Sequence, residues 1–317
     1  METIRIPNEA TYSPIPLTDL ALGAPLLSRL VLGATLPGLA LQTAALTIYA
    51  GSAFQDWVER LGVRRIDFQR EFGADPRRPP AMPVEERRLE AALLAERVND
   101  RYTPDVPRLR ELAPVVDRHL TDYMAGITDQ RVLTSIEVRE FSLAKFIFPF
   151  ALGAADILSG DISIFHDTGV FQPHVLAHEF CHRKGYWREL DAQVLAYLAM
   201  TASGEDALVQ GALCERLYRH LHIMTGENRA AFEREIERLK LRPELQDTFL
   251  RLRPDPGAMG PFADAMRTVY DVRMRVTGQN GLSDYDEGFT NFLYAFECSG
   301  SARQRPPVHG TLHGGGR

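Results

Sequence analysis

The sequence predicts an α+β fold that is mainly α, with a small sheet. Three observations lead there. Apolar residues recur at helical spacing in Glu85 to Tyr102 and Arg108 to Met124, and helical patterns dominate again from Gln172 onward. Only Arg131 to Phe141 and Asp161 to His166 are short runs rich in β-branched or aromatic residues, as strands are. Pro243, Pro254, Pro256, Gly257 and Pro261 break the later helical patterns into separate elements.

Composition supports a folded chain and limits its class. Of 317 residues, 45% are apolar, enough to bury a real core. Asp and Glu number 42 against 36 Lys and Arg, a net charge of -6, which argues against a nucleic-acid partner. Cys181, Cys214 and Cys298 are too few and too scattered for a disulfide scaffold or a Cys-only zinc site.

The first element is apolar. Leu30 to Phe54 carries no charged residue and is long enough to cross a bilayer, which takes about 20 residues in a helix. Acidic Glu2, Glu9 and Asp19 precede it, so it does not read as a cleaved leader. The expectation is membrane insertion or surface anchoring through 30–54, in a bacterial inner membrane; a buried helix pair kinked at Pro37 is the soluble, cytoplasmic alternative. Arg60, Arg64, Arg65 and Arg70 follow, and the positive-inside rule then places the rest of the chain in the cytoplasm. Residues 1–72 are accordingly read as an N-terminal membrane-associated segment. The Pro- and Arg-rich stretch 73–84 is a linker, 85–300 the main domain, and 301–317 a disordered tail that holds His309 and His313.

In the main domain, Glu85 to Tyr102 places Leu89, Leu93, Leu94 and Val98 on one face. The chemistry lies in Phe171 to Met200, where His178-Glu179-Phe180-Cys181-His182 reads H-E-x-x-H. Residues four apart on a helix share a face about 6 Å apart along the axis, so two imidazoles can grip one ion. The intervening Glu179 then stands beside the water that such an ion activates and can take its proton. Pro173 suits the start of this helix.

A catalytic zinc takes three protein ligands, and the residues offer three candidates for the last. His174 shares the face, but the outer histidines of 174, 178 and 182 are about 12 Å apart along a straight helix. Glu189 reaches the ion only if the chain doubles back, and Gly185 is placed to stop the helix in a left-handed conformation. Asp191 is the third candidate; on a new helix it points about 200° from Glu189, so one of the two faces the ion.

The stretch HEFCHRKGYWRELDAQVLAYLA, with the later Tyr270 to Phe296, resembles a bacterial zincin-like family of unknown function, gluzincin-like in its H-E-x-x-H pattern. Its members are membrane-anchored and read as zinc metallopeptidases. The resemblance covers the C-terminal half well and the apolar N-terminal segment in character. It implies a zincin-like catalytic domain over 85–300, Zn²⁺ held by His178, His182 and Glu189, and Glu179 as general base in peptide-bond hydrolysis. The family's E-x-x-A-[D/N] segment would be Glu189, Ala192 and Gln193, so Gln193 departs from the usual acid or amide.

An oxyanion donor is also needed. Tyr285 is the candidate, aimed by the Asn280-Gly281 turn and a Ser283/Asp284 cap; packing on the core is its plainer role. His220 and His222 are alternatives, although RHLHI in a charged helix reads as a solvated face. The Asp161–His166 strand would hold an extended substrate by edge pairing. Cys181 is read as a buried packing residue, Tyr186 and Trp187 as pocket wall or anchor, and Lys184 and Arg188 as equally suited to solvent or function. The reading is a zinc metallopeptidase acting on a peptide or protein. The rivals are an inactive zinc-binding partner or regulator, a non-peptidase zinc hydrolase, and a helical membrane scaffold without metal.

Overall fold

A computed structural model describes residues 1–8, 31–32, 35–140, 151–156, 160–165, 167–253 and 260–300. The expectation of a disordered tail at 301–317, with His309 and His313, lies outside these residues, as does His166. The described chain is mainly helical with small sheets, as the periodicities predict.

Strand β1 (Glu2–Arg5) opens the chain. Helix α1 (Leu36–Leu61) follows, then the short α2 (Phe68–Phe72), α3 (Val84–Asp100) and α4 (Leu109–Thr128). Strands β2 (Gln130–Leu133), β3 (Arg139–Glu140), β4 (Gly153–Ala155) and β5 (Ile162–Ile164) come next. A 3-10 turn leads into α5 (Gln172–Arg183), α6 (Glu189–Ala202), α7 (Asp206–Thr225), α8 (Arg229–Arg238), α9 (Pro243–Arg251), α10 (Gly260–Val276) and α11 (Glu287–Cys298). β1 pairs in parallel with β2, Glu2 opposite Gln130. In the second sheet β5 is central, parallel to β3 and antiparallel to β4, with Gly153 opposite Ile164.

Helix α6 is the hub. Leu190, Ala192 and Val194 through Met200 are all buried, so the helix is apolar nearly all round and needs neighbours on every side. Helices α4, α5, α7 and α11 supply them. The stripe on α3 differs from the one its apolar residues predict. Leu94 and Val98 are buried, but Leu89 is exposed, and Arg87 and Glu90 take the inward face. They do so because a buried ionic network receives them. Arg87 donates to Thr290 Oγ1 (2.8 Å) and Asn291 Oδ1 (2.9 Å), and Glu90 meets His220 Nε2 (2.8 Å) and the Arg216 guanidinium. Periodicity counts charges as outward and cannot see such pairing.

The N-terminal segment is not set apart from this body. Phe68 and Phe72 pack edge-on against Phe292 of α11 at 5.8 and 6.1 Å between ring centres. Asn8 donates its backbone N–H to Asp56 (2.9 Å), and Arg60 Nε donates to the carbonyl of Arg183 (3.1 Å). Within 73–84, Ala74 and Met82 are buried and Met82 N donates to Asn291 Oδ1 (3.1 Å), so this stretch is docked rather than free. Pro37 kinks nothing; it lies in the first turn of α1, where its missing N–H has no helical partner to lose. Leu36, Leu39, Leu41 and Phe54 of α1 are exposed, so the first half of this helix is not a buried core helix. No helix among the described residues is long and apolar enough to cross a membrane.

Candidate metal centre

The H-E-x-x-H run falls on α5, with Pro173 in its first turn. Gly185 ends the helix as expected, at φ 98°. Tyr186 N donates to Cys181 O (2.9 Å) and Gly185 N to His182 O (2.8 Å), the paired bonds that close a helix through a left-handed residue. Tyr186 pins the reversal to the core: its hydroxyl donates to Arg64 O (3.1 Å) and accepts from Ile66 N (3.3 Å). The chain thus doubles back, and Glu189 becomes the first residue of α6. Its N–H, which the helix leaves without an internal acceptor, donates to Gln279 Oε1 (2.8 Å).

Three side chains converge as a result. His178 Nε2, His182 Nε2 and Glu189 Oε2 form a triangle with all edges 3.1 Å. A tetrahedral ion with bonds of about 2.0–2.1 Å sets its ligand atoms about 3.3 Å apart, so the donor set fits one. All three residues are buried and together can hold a metal ion. His182 Nδ1 donates to the carbonyl of Tyr186 (2.7 Å), which turns Nε2 toward the triangle. Glu189 uses its second oxygen, Oε1, to accept from the Tyr270 hydroxyl (2.8 Å).

The electrostatics reflect crowding of acids and imidazoles out of water. Burial works to raise the Glu189 pKa, but attraction to His182 and hydrogen bonds from both imidazoles hold it well below the usual carboxylate range. Burial lowers the His182 pKa, yet Glu189 and Glu179 outweigh it and bring it up to about 9. Glu179 is raised, mainly by burial and further by Glu189, with His178 and His182 opposing. Its Oε2 has no hydrogen-bond partner among the described residues. A Cβ placed on Gly153 would stand 3.2 Å from Glu179 Oε1, so only a glycine lets β4 come this close without displacement.

The triangle and Glu179 open onto a cavity of about 580 Å³. On one side lie Ala151 to Ala155 of the β4 region. On the others are α7, the α10 residues Tyr270 and Arg273, and Tyr285.

Of the sequence candidates, the structure unites His178, Glu179, His182, Glu189 and Tyr285. The Tyr285 ring lies 5.9 Å from that of His178, and its hydroxyl lies 3.4 Å from the Tyr270 hydroxyl. Burial and the charge of Glu189 raise its pKa well above the usual phenol range, so it stays a proton donor. Asp191 is not part of the triangle. Burial raises it to about 6, with Arg188 opposing and Asp284 adding. His174 lines the same cavity one turn from the centre.

Several expectations change. β5 is the paired central strand, so Asp161–His166 offers no free edge; the edge that lines the cavity is β4. His220 is fully buried in the network with Glu90 and Arg87, not solvated and not at the site, whereas His222 lines the cavity. Lys184 is fully buried, paired with Asp117 (2.7 Å) and Val132 O (2.9 Å). Cys181 is buried, as read. Tyr186 anchors, while Trp187 walls the cavity, stacked on His182 at 6.2 Å.

Two contributors had no signal near the motif. Tyr270 and Gln279 reach Glu189 from 81 and 90 residues downstream. Gln193 does not support the metal histidines: its amide donates to Glu215 Oε1 (2.7 Å), and His178 Nδ1 has no hydrogen-bond partner among the described residues. Compared with protein-family models, curated proteins and solved structures, the chain has no match.

Proposed function

We propose that this protein is a zinc-dependent metallopeptidase of the gluzincin-like kind, with His178, His182 and Glu189 as zinc ligands and Glu179 as general base. The observation that carries the reading is the 3.1 Å triangle of two imidazole nitrogens and a carboxylate oxygen, with the Glu179 carboxylate buried beside it. Zinc when bound supplies Lewis acidity, acidifying water and polarising a carbonyl. The chain's own groups do the rest. Glu179, whose affinity for a proton burial has raised, takes the proton of the attacking water and returns it to the leaving amine. Tyr285, kept protonated, donates to the oxygen on which charge develops. The β4 edge lies where an extended peptide can pair with it, beside Glu179.

The proposal includes a peptide or protein substrate and membrane association through 30–54, with the catalytic body on the cytoplasmic side. The exposed Leu36, Leu39, Leu41 and Phe54 support that association. One observation favours a second reading, an inactive zinc-binding regulator: His178 Nδ1 lacks the carboxylate or carbonyl that usually orients a metal-bound histidine. A Glu179→Gln variant decides. Metal analysis is expected to find about one zinc per chain in both forms, with cleavage of a peptide library only by the unmodified protein. Zinc without cleavage in either form supports the regulator or a different zinc hydrolase; no zinc in either refutes both.

A further inference from the structure

The cavity has two unlike regions. Around β4 its wall is apolar, with Ala151, Leu152, Phe165 and Val175. The walls from α7 and α10 carry arginines. Arg267, Tyr270 and Arg273 follow one another at three-residue spacing on α10, so they are neighbours on its surface, and all three line the cavity. Arg219 of α7 and Arg253, just past α9, line it as well.

These cations are unequally matched. Three carboxylates in this region serve two guanidiniums. Arg219 donates through Nε to Glu215 (2.7 Å) and through Nη1 to Asp286 (3.1 Å), and Arg267 Nη1 donates to Glu227 (2.8 Å). Arg253 and Arg273 are left without a carboxylate among the described residues. Arg253 is 7% exposed and donates to His222 Nδ1 (2.9 Å) and to the carbonyl of Gly226. Neither partner brings a counter-charge: burial lowers the His222 pKa, with Asp286 opposing and Arg219 and Arg253 adding, so the ring is neutral at pH 7. Arg273 is exposed, and its guanidinium has no hydrogen bond or ion pair among the described residues. It lies 5.4 Å from the centre of the Tyr270 ring, whose hydroxyl donates to Glu189 Oε1. One side chain thus separates this cation from the metal triangle.

A divalent ion in the triangle is offset by Glu179 and Glu189, so the loaded cavity keeps one more positive than negative charge. A cationic guest meets like charge there, and an uncharged guest leaves the surplus uncompensated. A carboxylate supplies the missing charge and matches a guanidinium fork through two parallel N–H···O bonds.

Resting on the peptidase reading, we propose that Arg273, with Arg253 adding its charge, forms a recognition site for a carboxylate of the substrate, either an Asp or Glu side chain or the peptide's own C-terminus. The test uses the zinc-loaded full chain and a hexapeptide library made with free and with amidated C-termini, with cleavage mapped by mass spectrometry. Carboxylate-bearing peptides are expected to be cut about 10-fold faster than their amide counterparts, since the hydrogen bonds formed are to a charged group. A preference for Asp or Glu at one position in both sets identifies the side chain; cutting confined to free termini, at a fixed distance from them, identifies the C-terminus. Arg273→Gln is expected to keep its zinc and lose the preference, Arg273→Lys to retain part of it, and Arg273→Glu to turn it toward Lys and Arg side chains. Equal cutting of carboxylate and amide peptides by the wild type, or a preference unchanged in Arg273→Glu, overturns the proposal. If the wild type cuts nothing, the peptidase reading fails separately. Affinity selection of the same library on the wild type and on Arg273→Glu then decides, and no enrichment of carboxylate peptides by the wild type overturns the site.

Discussion

Tyr270→Phe removes a hydroxyl that meets the candidate metal centre at Glu189 Oε1 and at the Tyr285 hydroxyl, 3.4 Å away. The Tyr270 hydroxyl donates to Glu189 Oε1 at 2.8 Å, while Oε2 faces the two imidazoles. Phenylalanine keeps the ring and its contact with the Arg273 guanidinium, 5.4 Å from the ring centre, so the change removes a donor without opening a cavity. A hydrogen bond to a charged group is worth about 1.5–3 kcal/mol, and loss of a partner that orients a metal ligand typically weakens metal binding by about 10–100-fold. The two scales agree, since 1.4 kcal/mol is about tenfold. Zinc affinity measured by competition with a chromophoric chelator is expected to fall by that factor.

Thermal unfolding without zinc provides the control. Tyr270 sits on α10, which is held elsewhere by Arg267 with Glu227 (2.8 Å) and by the buried Met274. Those contacts survive, so the helix stays docked and zinc affinity falls far more than the melting temperature. Unchanged zinc affinity refutes the reasoning, because Glu189 would then need no second support. A large fall in melting temperature with proportionate zinc loss refutes it too, since Tyr270 would be holding α10 and not the ligand.

Gly185→Ala forces a side chain onto φ 98°, at a cost of about 1–3 kcal/mol, and strains the reversal that brings Glu189 to the histidines. Calorimetry is expected to show a lower melting temperature together with weaker zinc binding; a fall in only one of them separates strain from ligand placement. Burial works to raise the Glu90 pKa, but Arg216 and His220 hold it near about 2. A depressed carboxylate contributes stability that is present above its unfolded value and is lost as pH falls through the folded one. Urea unfolding between about pH 5 and pH 2 is expected to show a slope that Glu90→Gln flattens, and an equal slope in the variant counts against the network. His182, raised to about 9, must shed its proton to bind a cation, so zinc affinity is expected to climb with pH up to about 9. Calorimetry in buffers of different ionisation enthalpy measures the released proton, and no release between pH 6 and about 8 contradicts the assignment.

Much of the candidate metal centre was legible because its determinants are local. The i, i+4 histidines, the glycine and the following acid lie within 12 residues, and helix geometry with one left-handed residue suffices to relate them. What escaped was set by distant partners. His220 read as solvated because nothing near it, or near Arg87 and Glu90, says that Arg216, Thr290 and Asn291 will meet them in the core. β5 read as a free edge because strand order depends on β3 and β4, which are only two and three residues long. Residues 1–72 read as separate because composition marks the apolar run but not the phenylalanines that join it to α11.

These two kinds of information meet at Glu189. Its position at the head of α6 follows from a local turn, but its orientation depends on remote groups: Gln279 on its N–H and Tyr270 on the oxygen that faces away from the histidines. A carboxylate held from behind at both points loses little freedom on meeting a cation, because its ordering has already occurred on folding. His182 is fixed in the same way through Tyr186 O, whereas His178 has no such support on Nδ1. Two of the three side chains are thus held from behind, and the third is held only on the side that faces the triangle.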